Sequence, residues 1–186
     1  MSANPQAVRP ATPADIEALC AVVPSIIAEN TILPPSPGRI QNLINRCVFR
    51  VGGSLAGIID GDDGIAASIG LCFAEDHVSD MPYVMTVWCG LAPEVRKVSR
   101  HVPIDDPRRH YGKRLFEFAR WFHEGMEQVA EHPVLVQFNV LTTEGLAPKM
   151  GLYSRNLLQI GGVFALGANG AFRPQEFPAE VAEVAA

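Results

Sequence analysis

The sequence predicts a single mixed α/β domain built on one mostly antiparallel sheet. Three observations carry this. Helical apolar stripes alternate with short apolar runs bounded by turn residues. Hydrophobic residues make up 48% of the 186 positions and charged residues 19%, so the chain has a core to bury. No apolar run approaches the roughly 18 residues needed to cross a bilayer. The elements, taken together, amount to six or seven strands and about four helices.

Val8-Arg9 reads as a short first strand. Thr12-Pro13-Ala14-Asp15 then opens a helix, with Thr12 as N-cap, Pro13 at the first helical position and an acid three residues after the cap. Ile16, Leu19, Cys20 and Val23 form its apolar stripe. Pro34-Pro35 breaks the chain, and Ser36-Pro37 opens a second helix with Ile40, Leu43, Ile44 and Cys47 on one face. Residues 48–51, 55–59 and 65–73 read as strands of an antiparallel meander, separated by Gly52-Gly53 and by Asp60-Gly61-Asp62-Asp63-Gly64. Residues 76–82 form a polar connection, and 83–91 read as a strand buried on both faces.

Residues 93–107 read as a long basic loop. A helix follows over about 111–128, with Leu115, Phe118, Ala119, Phe122 and Met126 on its inner face. Residues 134–141 give another strand, 142–145 a turn, 148–155 a helix and 160–166 a last strand. The domain runs over 1–168, and 169–186, rich in Pro, Ala and Glu, reads as a mobile C-terminal tail.

Several tempting motifs fail. His123-Glu124-Gly125-Met126-Glu127 starts like the HExxH zinc helix but lacks its second histidine. Asp60 to Gly64 has its glycine one place early for a calcium loop and no closing glutamate, so it reads as a hairpin turn. Cys20, Cys47, Cys72 and Cys89 form no CxxC pair. No metal is expected. The N-terminus has neither a basic start nor an apolar stretch, so no leader is expected and a cytoplasmic, reducing setting fits the thiols.

The net charge is −5, yet seven of the 15 Lys and Arg residues lie between Arg96 and Arg114, opposed there only by Asp105 and Asp106. Such an excess suits a compact polyanion. Within it, Arg109-His110-Tyr111-Gly112-Lys113-Arg114-Leu115 opens the clearest amphipathic helix. Helix-start N–H groups lack internal partners and carry partial positive charge, Gly112 admits a ligand close to the backbone, and the cations add charge-assisted bonds. A pyrophosphate matches that set.

Here the chain resembles the GNAT family of acyl-CoA N-acetyltransferases over about 8–166. Residues 8–15 are similar to the family's first strand and helix start. Leu91-Ala92-Pro93-Glu94-Val95-Arg96 resembles the V-x-P-E-x-R end of its fourth strand. Arg109 to Arg114 resembles its acetyl-CoA motif [Q/R]-x-x-G-x-[G/A], with Arg114 in place of the small last residue. Lys149-Met150-Gly151-Leu152-Tyr153-Ser154-Arg155 resembles its late LYxRxGF helix, with Asn156-Leu157-Leu158 where Gly-Phe is usual. The basic loop ahead of residues 110–119 is similar in style to GNAT-like proteins carried by bacteriophages and prophages.

The resemblance implies strands 4 and 5 splayed apart, with coenzyme A lying in the gap. It implies acetyl transfer from acetyl-CoA to a primary amine of a small molecule, peptide or protein by direct attack. Cys89, Gly90 and Leu91 would offer backbone N–H groups to the thioester, and Tyr153 would protonate the leaving thiolate. Glu75 is the candidate base, with Asp76 beside it. Two alternatives stand: a GNAT-fold enzyme acting on nucleic acid or its bases, and a catalytically silent interaction domain. A homodimer through strand or tail exchange near 161–186 is left open; a membrane partner is not expected.

Overall fold

The computed structural model describes residues 8–29, 35–75, 82–99, 101–103, 105–130 and 134–138. Five strands form one sheet in the order β1-β2-β3-β4-β5: β1 Arg9–Pro10, β2 Leu55–Gly61, β3 Gly64–Glu75, β4 Pro82–Leu91 and β5 Leu135–Gln137. The first four pair antiparallel, and β5 joins β4 in parallel. The helices are α1 Ile16–Ala28, α2 Pro37–Val48, α3 Pro93–Ser99 and α4 Tyr111–Ala130. The expected turn at 142–145, helix at 148–155, strand at 160–166 and tail at 169–186 lie outside the described residues, as do Asp76 and Tyr153.

Three layers follow from the two faces of the sheet. On one face Leu19, Val23 and Ile26 of α1 and Ile40, Ile44 and Cys47 of α2 pack on Ala56, Ile58, Cys72 and Trp88. On the other, Tyr111, Leu115, Phe118 and Ala119 of α4 pack on Leu55, Ile59, Ile69, Leu71 and Val84. Each helix thus buries the stripe its spacing predicts. Two glycines let the helices approach the sheet, and a third makes room for a ring across the strand pair. A Cβ on Gly57 would stand 2.6 Å from the Phe118 ring, one on Gly70 2.4 Å from the Trp88 ring, and one on Gly90 2.9 Å from Ile26. The buried Trp88 indole N–H donates to the Ser68 hydroxyl (3.0 Å), which donates to the Gly57 carbonyl (3.2 Å). Every polar atom in that chain is therefore partnered.

The helix start at Thr12 forms as a capping arrangement. Asp15 accepts from the Thr12 N–H and hydroxyl, both at 2.8 Å, and a 3₁₀ turn over Pro13–Asp15 leads into α1. Asp15 also takes two guanidinium nitrogens of Arg9, and Arg9 reaches Asp60 at 2.7 Å. The sheet edge is thereby tied to the helix start. Arg9 holds the Asp15 carboxyl well below the usual carboxylate range.

Two expectations are corrected. Residues 48–51 are not a strand. Val48 extends the buried face of α2, the Phe49 N–H caps back to Asn45, and Arg50 takes a left-handed conformation (φ 56°) that turns the chain. Val51–Gly53 is a 3₁₀ turn, so β-branched composition misled here. The segment 93–107 is not all loop. Pro93 starts α3 at a position where a missing N–H costs nothing, Arg96 N–H bonds the Ala92 carbonyl at 3.0 Å, and Val95 packs on the core.

The expected hairpin forms, with Gly61 opposite Gly64 around Asp62-Asp63 and Gly64 at φ 132°. His123 and Glu127 act as a clasp. The imidazole Nε2–H donates to the Val134 carbonyl, and Val134 N–H reaches Glu127 at 3.5 Å. Both side chains thus hold the approach to β5 against α4. Among the described residues no group of three His, Cys, Asp or Glu side chains could hold a metal ion, and no helix is long and apolar enough to cross a membrane.

Candidate functional site

β4 pairs with β3 along its whole length, from Glu75↔Pro82 to Ala67↔Leu91. On its other edge it pairs with β5 only at Tyr83, Val84 and Met85. From Thr86 to Leu91, no strand partners that edge among the described residues. The register steps from Gly70↔Trp88 to Leu71↔Thr86, so Val87 is an extra residue and β4 carries a bulge where the ladder to β5 ends. Among the described residues β5 ends at Gln137 and is followed only by Phe138.

The backbone alternation says which amides point away from β3. Ala92 N–H bonds the Ala66 carbonyl at 2.9 Å, just past the Leu91↔Ala67 pair. Antiparallel ladders alternate the direction of successive N–H groups. Gly90 N–H therefore points toward β3, and the N–H groups of Cys89 and Leu91 point away from it. Of the three residues expected to present amides, Gly90 does a different job: it makes room for Ile26. The Cys89 and Leu91 side chains pack toward the α4 core. Burial pushes the Cys89 thiol up to about 12.

A helix joining two parallel strands runs back antiparallel to them, so α4 begins at the Leu91 end of β4. Tyr111 and Leu91 share one apolar cluster, which agrees with that placement. Tyr111 and Leu115 are 7% and 0% exposed, so both side chains belong to the core and not to a ligand surface. Gly112 is open: a Cβ there would meet no atom within 4 Å. In an α-helix starting at Tyr111, the N–H groups of Tyr111, Gly112 and Lys113 have no carbonyl four residues back within the helix.

A 3₁₀ turn, Pro107–His110, precedes α4, and Asp106 caps it. The Asp106 carboxylate accepts from Arg108 N–H at 2.9 Å, and its carbonyl accepts from Arg109 N–H at 3.1 Å. Asp106-Pro107 is an N-cap followed by proline at the first position, a signal present in the sequence and overlooked there. Arg108 also pairs with Asp106 at 2.6 Å, and this pairing pulls the Asp106 carboxyl down to about 2. Arg96 pairs with Glu29 and Lys113 with Glu117 at 3.6 Å. The local positive excess is accordingly smaller than the sequence count. Arg109 is exposed, with its Nε donating to the Val102 carbonyl at 2.8 Å; His110 is exposed, and Arg114 is half-buried. Glu75 ends β3 across from Pro82, and its side chain lies outside the described residues, as does Tyr153.

No protein-family model matches the chain, and no curated protein matches its sequence. Solved structures do match its fold. AAC(6')-Iy in complex with the bisubstrate analogue CoA-S-monomethyl-acetylneamine superposes with a TM-score of 0.60 at 10% identity, over 87% of this chain and 97% of that one. Aminoglycoside 6'-N-acetyltransferase AAC(6')-IG from Acinetobacter haemolyticus gives 0.55 at 8% identity, over 89% and 99%. A GNAT family acetyltransferase from Staphylococcus aureus gives 0.50 at 13% identity, over 87% and 97%. With its sheet order, its parallel β4–β5 pair and its crossover helix α4, the chain has the fold of the GNAT acetyltransferases.

Proposed function

We propose that this protein transfers an acetyl group from acetyl-CoA to a primary amine. The observation that carries the reading is the start of α4, where Gly112 faces open space beside Arg109 and Lys113, at the end of β4 whose Cys89 and Leu91 N–H groups point away from β3. One neighbour of the same fold holds a CoA-linked bisubstrate analogue.

In this reading the pyrophosphate sits at the turn around Gly112, within reach of Arg109, His110, Lys113 and Arg114. Tyr111 and Leu115 contribute backbone and core packing only. The arm of the coenzyme lies along the edge of β4 turned away from β3, where the N–H groups of Cys89 and Leu91 can donate to it. The acceptor amine, once deprotonated, attacks the thioester carbonyl carbon. The C–S bond breaks as the tetrahedral intermediate collapses, and the thiolate leaves with a proton from an acid. Tyr153 is the proposed acid and Glu75 the proposed base.

A thiol held near 12 stays protonated at neutral pH, so Cys89 is a poor acyl carrier. Direct transfer in a ternary complex is the expected kinetic order, and Cys89→Ala should keep sequential kinetics. The test of function is calorimetric titration with acetyl-CoA, followed by thiol release across an amine panel. Saturable binding and turnover with one amine class support the reading; a flat titration defeats it. Tyr153→Phe should lower turnover about 100-fold or more, the scale of a lost general acid, with acetyl-CoA affinity nearly unchanged.

A further inference from the structure

Cys47 lies on the buried face of α2 and Cys72 on β3, and their sulfurs stand 3.6 Å apart. The two residues are 0% and 2% exposed, so the pair sits in the core between helix and sheet. Buried cysteines in apolar surroundings are ordinarily inert fillers. This pair has polar company. The exposed Arg46 precedes Cys47, and its Nε donates to the buried Ser54 hydroxyl at 3.1 Å. Its Nη2 donates to the carbonyl of Phe73, the neighbour of Cys72, at 3.3 Å. Ser54 accepts from Arg46 and keeps its O–H for Cys72. The Cys47 thiol, the Ser54 hydroxyl and the Arg46 charge hold the Cys72 thiol below its ordinary value, against the opposing effect of burial. Cys47 is pushed the other way, chiefly by its bond to Cys72. One sulfur is thus set up as a thiolate and the other as its proton donor.

We propose that Cys47 and Cys72 form an oxidation site that closes into a disulfide on reaction with a hydroperoxide and staples α2 to β3. The Cys72 thiolate attacks the peroxide oxygen, the O–O bond breaks, and the leaving hydroxide or alkoxide takes up a proton. Cys72 is then a sulfenic acid. The Cys47 sulfur loses its proton and attacks the Cys72 sulfur, and the S–O bond breaks to release water. Two thiols and one hydroperoxide give one disulfide, one water and one alcohol, or two waters from hydrogen peroxide. A bonded pair stands about 2.05 Å apart, so the sulfurs have about 1.5 Å to close. A dithiol reverses the bridge by exchange. Both residues lie on the α1–α2 side of the sheet, so this site is independent of the coenzyme reading.

Peptide mapping of the full chain after hydrogen peroxide treatment tests it, with the remaining thiols alkylated in denaturant. The folded protein should lose two hydrogen atoms in mass and yield a linked Cys47–Cys72 peptide, with Cys20 and Cys89 alkylated. Dithiothreitol should reverse the change. The bridge would tie positions 25 apart in sequence, so the oxidised protein should melt about 5 °C or more above the reduced one. Cys47→Ala should halt at the Cys72 sulfenic acid, captured by dimedone. The wild-type map decides the matter even if that variant does not fold. Thiols left reduced under peroxide, a bridge to Cys20 or Cys89, a bridge formed only in urea, or an oxidised protein that melts lower would overturn the inference.

Discussion

The two edges of β4 are built from the same residues and meet different fates. Against β3, pairing runs unbroken from Pro82 to Leu91 apart from the bulge at Val87. Against β5, it stops at Met85 among the described residues. Within the sheet the glycines are contact surfaces, with Gly70 beneath Trp88, Gly90 beneath Ile26 and Gly57 beneath Phe118. At the start of α4 Gly112 faces open space. The same residue type serves packing in one region and access in the other, and only the neighbouring atoms tell them apart. Substitutions on the closed side should therefore cost stability, and those at the open side should cost binding.

The largest stability loss should come from the core between α4 and the sheet. Leu115 is fully buried, and Leu115→Ala should destabilise by about 2–5 kcal/mol through lost transfer energy and the cavity left behind, read by urea denaturation. Gly70→Ala comes next. Its new methyl would have to displace the Trp88 ring and should cost about 1–3 kcal/mol, with a shifted Trp88 emission as a second sign. A stable Gly70→Ala protein with unchanged fluorescence would break the distinction between the edges.

Gly112→Asp sharpens the comparison from the other side. Its Cβ would meet no protein atom within 4 Å, so stability should change by less than about 1 kcal/mol, while acetyl-CoA affinity should fall beyond detection through charge and bulk. Unchanged affinity would move the coenzyme elsewhere.

The smallest effect is at the far edge of the sheet, where Arg9 lowers the Asp15 pKa. A depressed carboxylate contributes fully above its unfolded value near 4 and loses that contribution as pH falls through the folded value. Asp15→Asn should flatten the acid limb of stability below about pH 4 and leave coenzyme binding at pH 7 alone. A change in binding would show the edges are not independent.

Much of the scaffold was legible in the sequence, and the reasons are local. The stripes on α1, α2 and α4 repeat at helical spacing, and Asp62-Asp63 between glycines announces a hairpin. Helix α3 was hidden because seven residues are too few to show a period; Val95 packs on the core. Glu29 neutralises Arg96 from about 70 residues away and Glu117 pairs with Lys113, so a charge count confined to 96–114 overstated the basic surface. The candidate site was legible only in part. Gly112 stood out by type, but the outward N–H groups of Cys89 and Leu91 and the bulge at Val87 depend on strand register. Register arises from pairing between distant segments, and no local pattern in β4 encodes it.

An amide-resolved NMR titration with acetyl-CoA tests this placement of the coenzyme directly. The account predicts saturable shifts centred on the N–H groups of Cys89, Leu91 and Gly112, with Gly90, bonded into the sheet, moving far less. Saturation with the shifts gathered on β1 and β2, or no saturation at all, would contradict it.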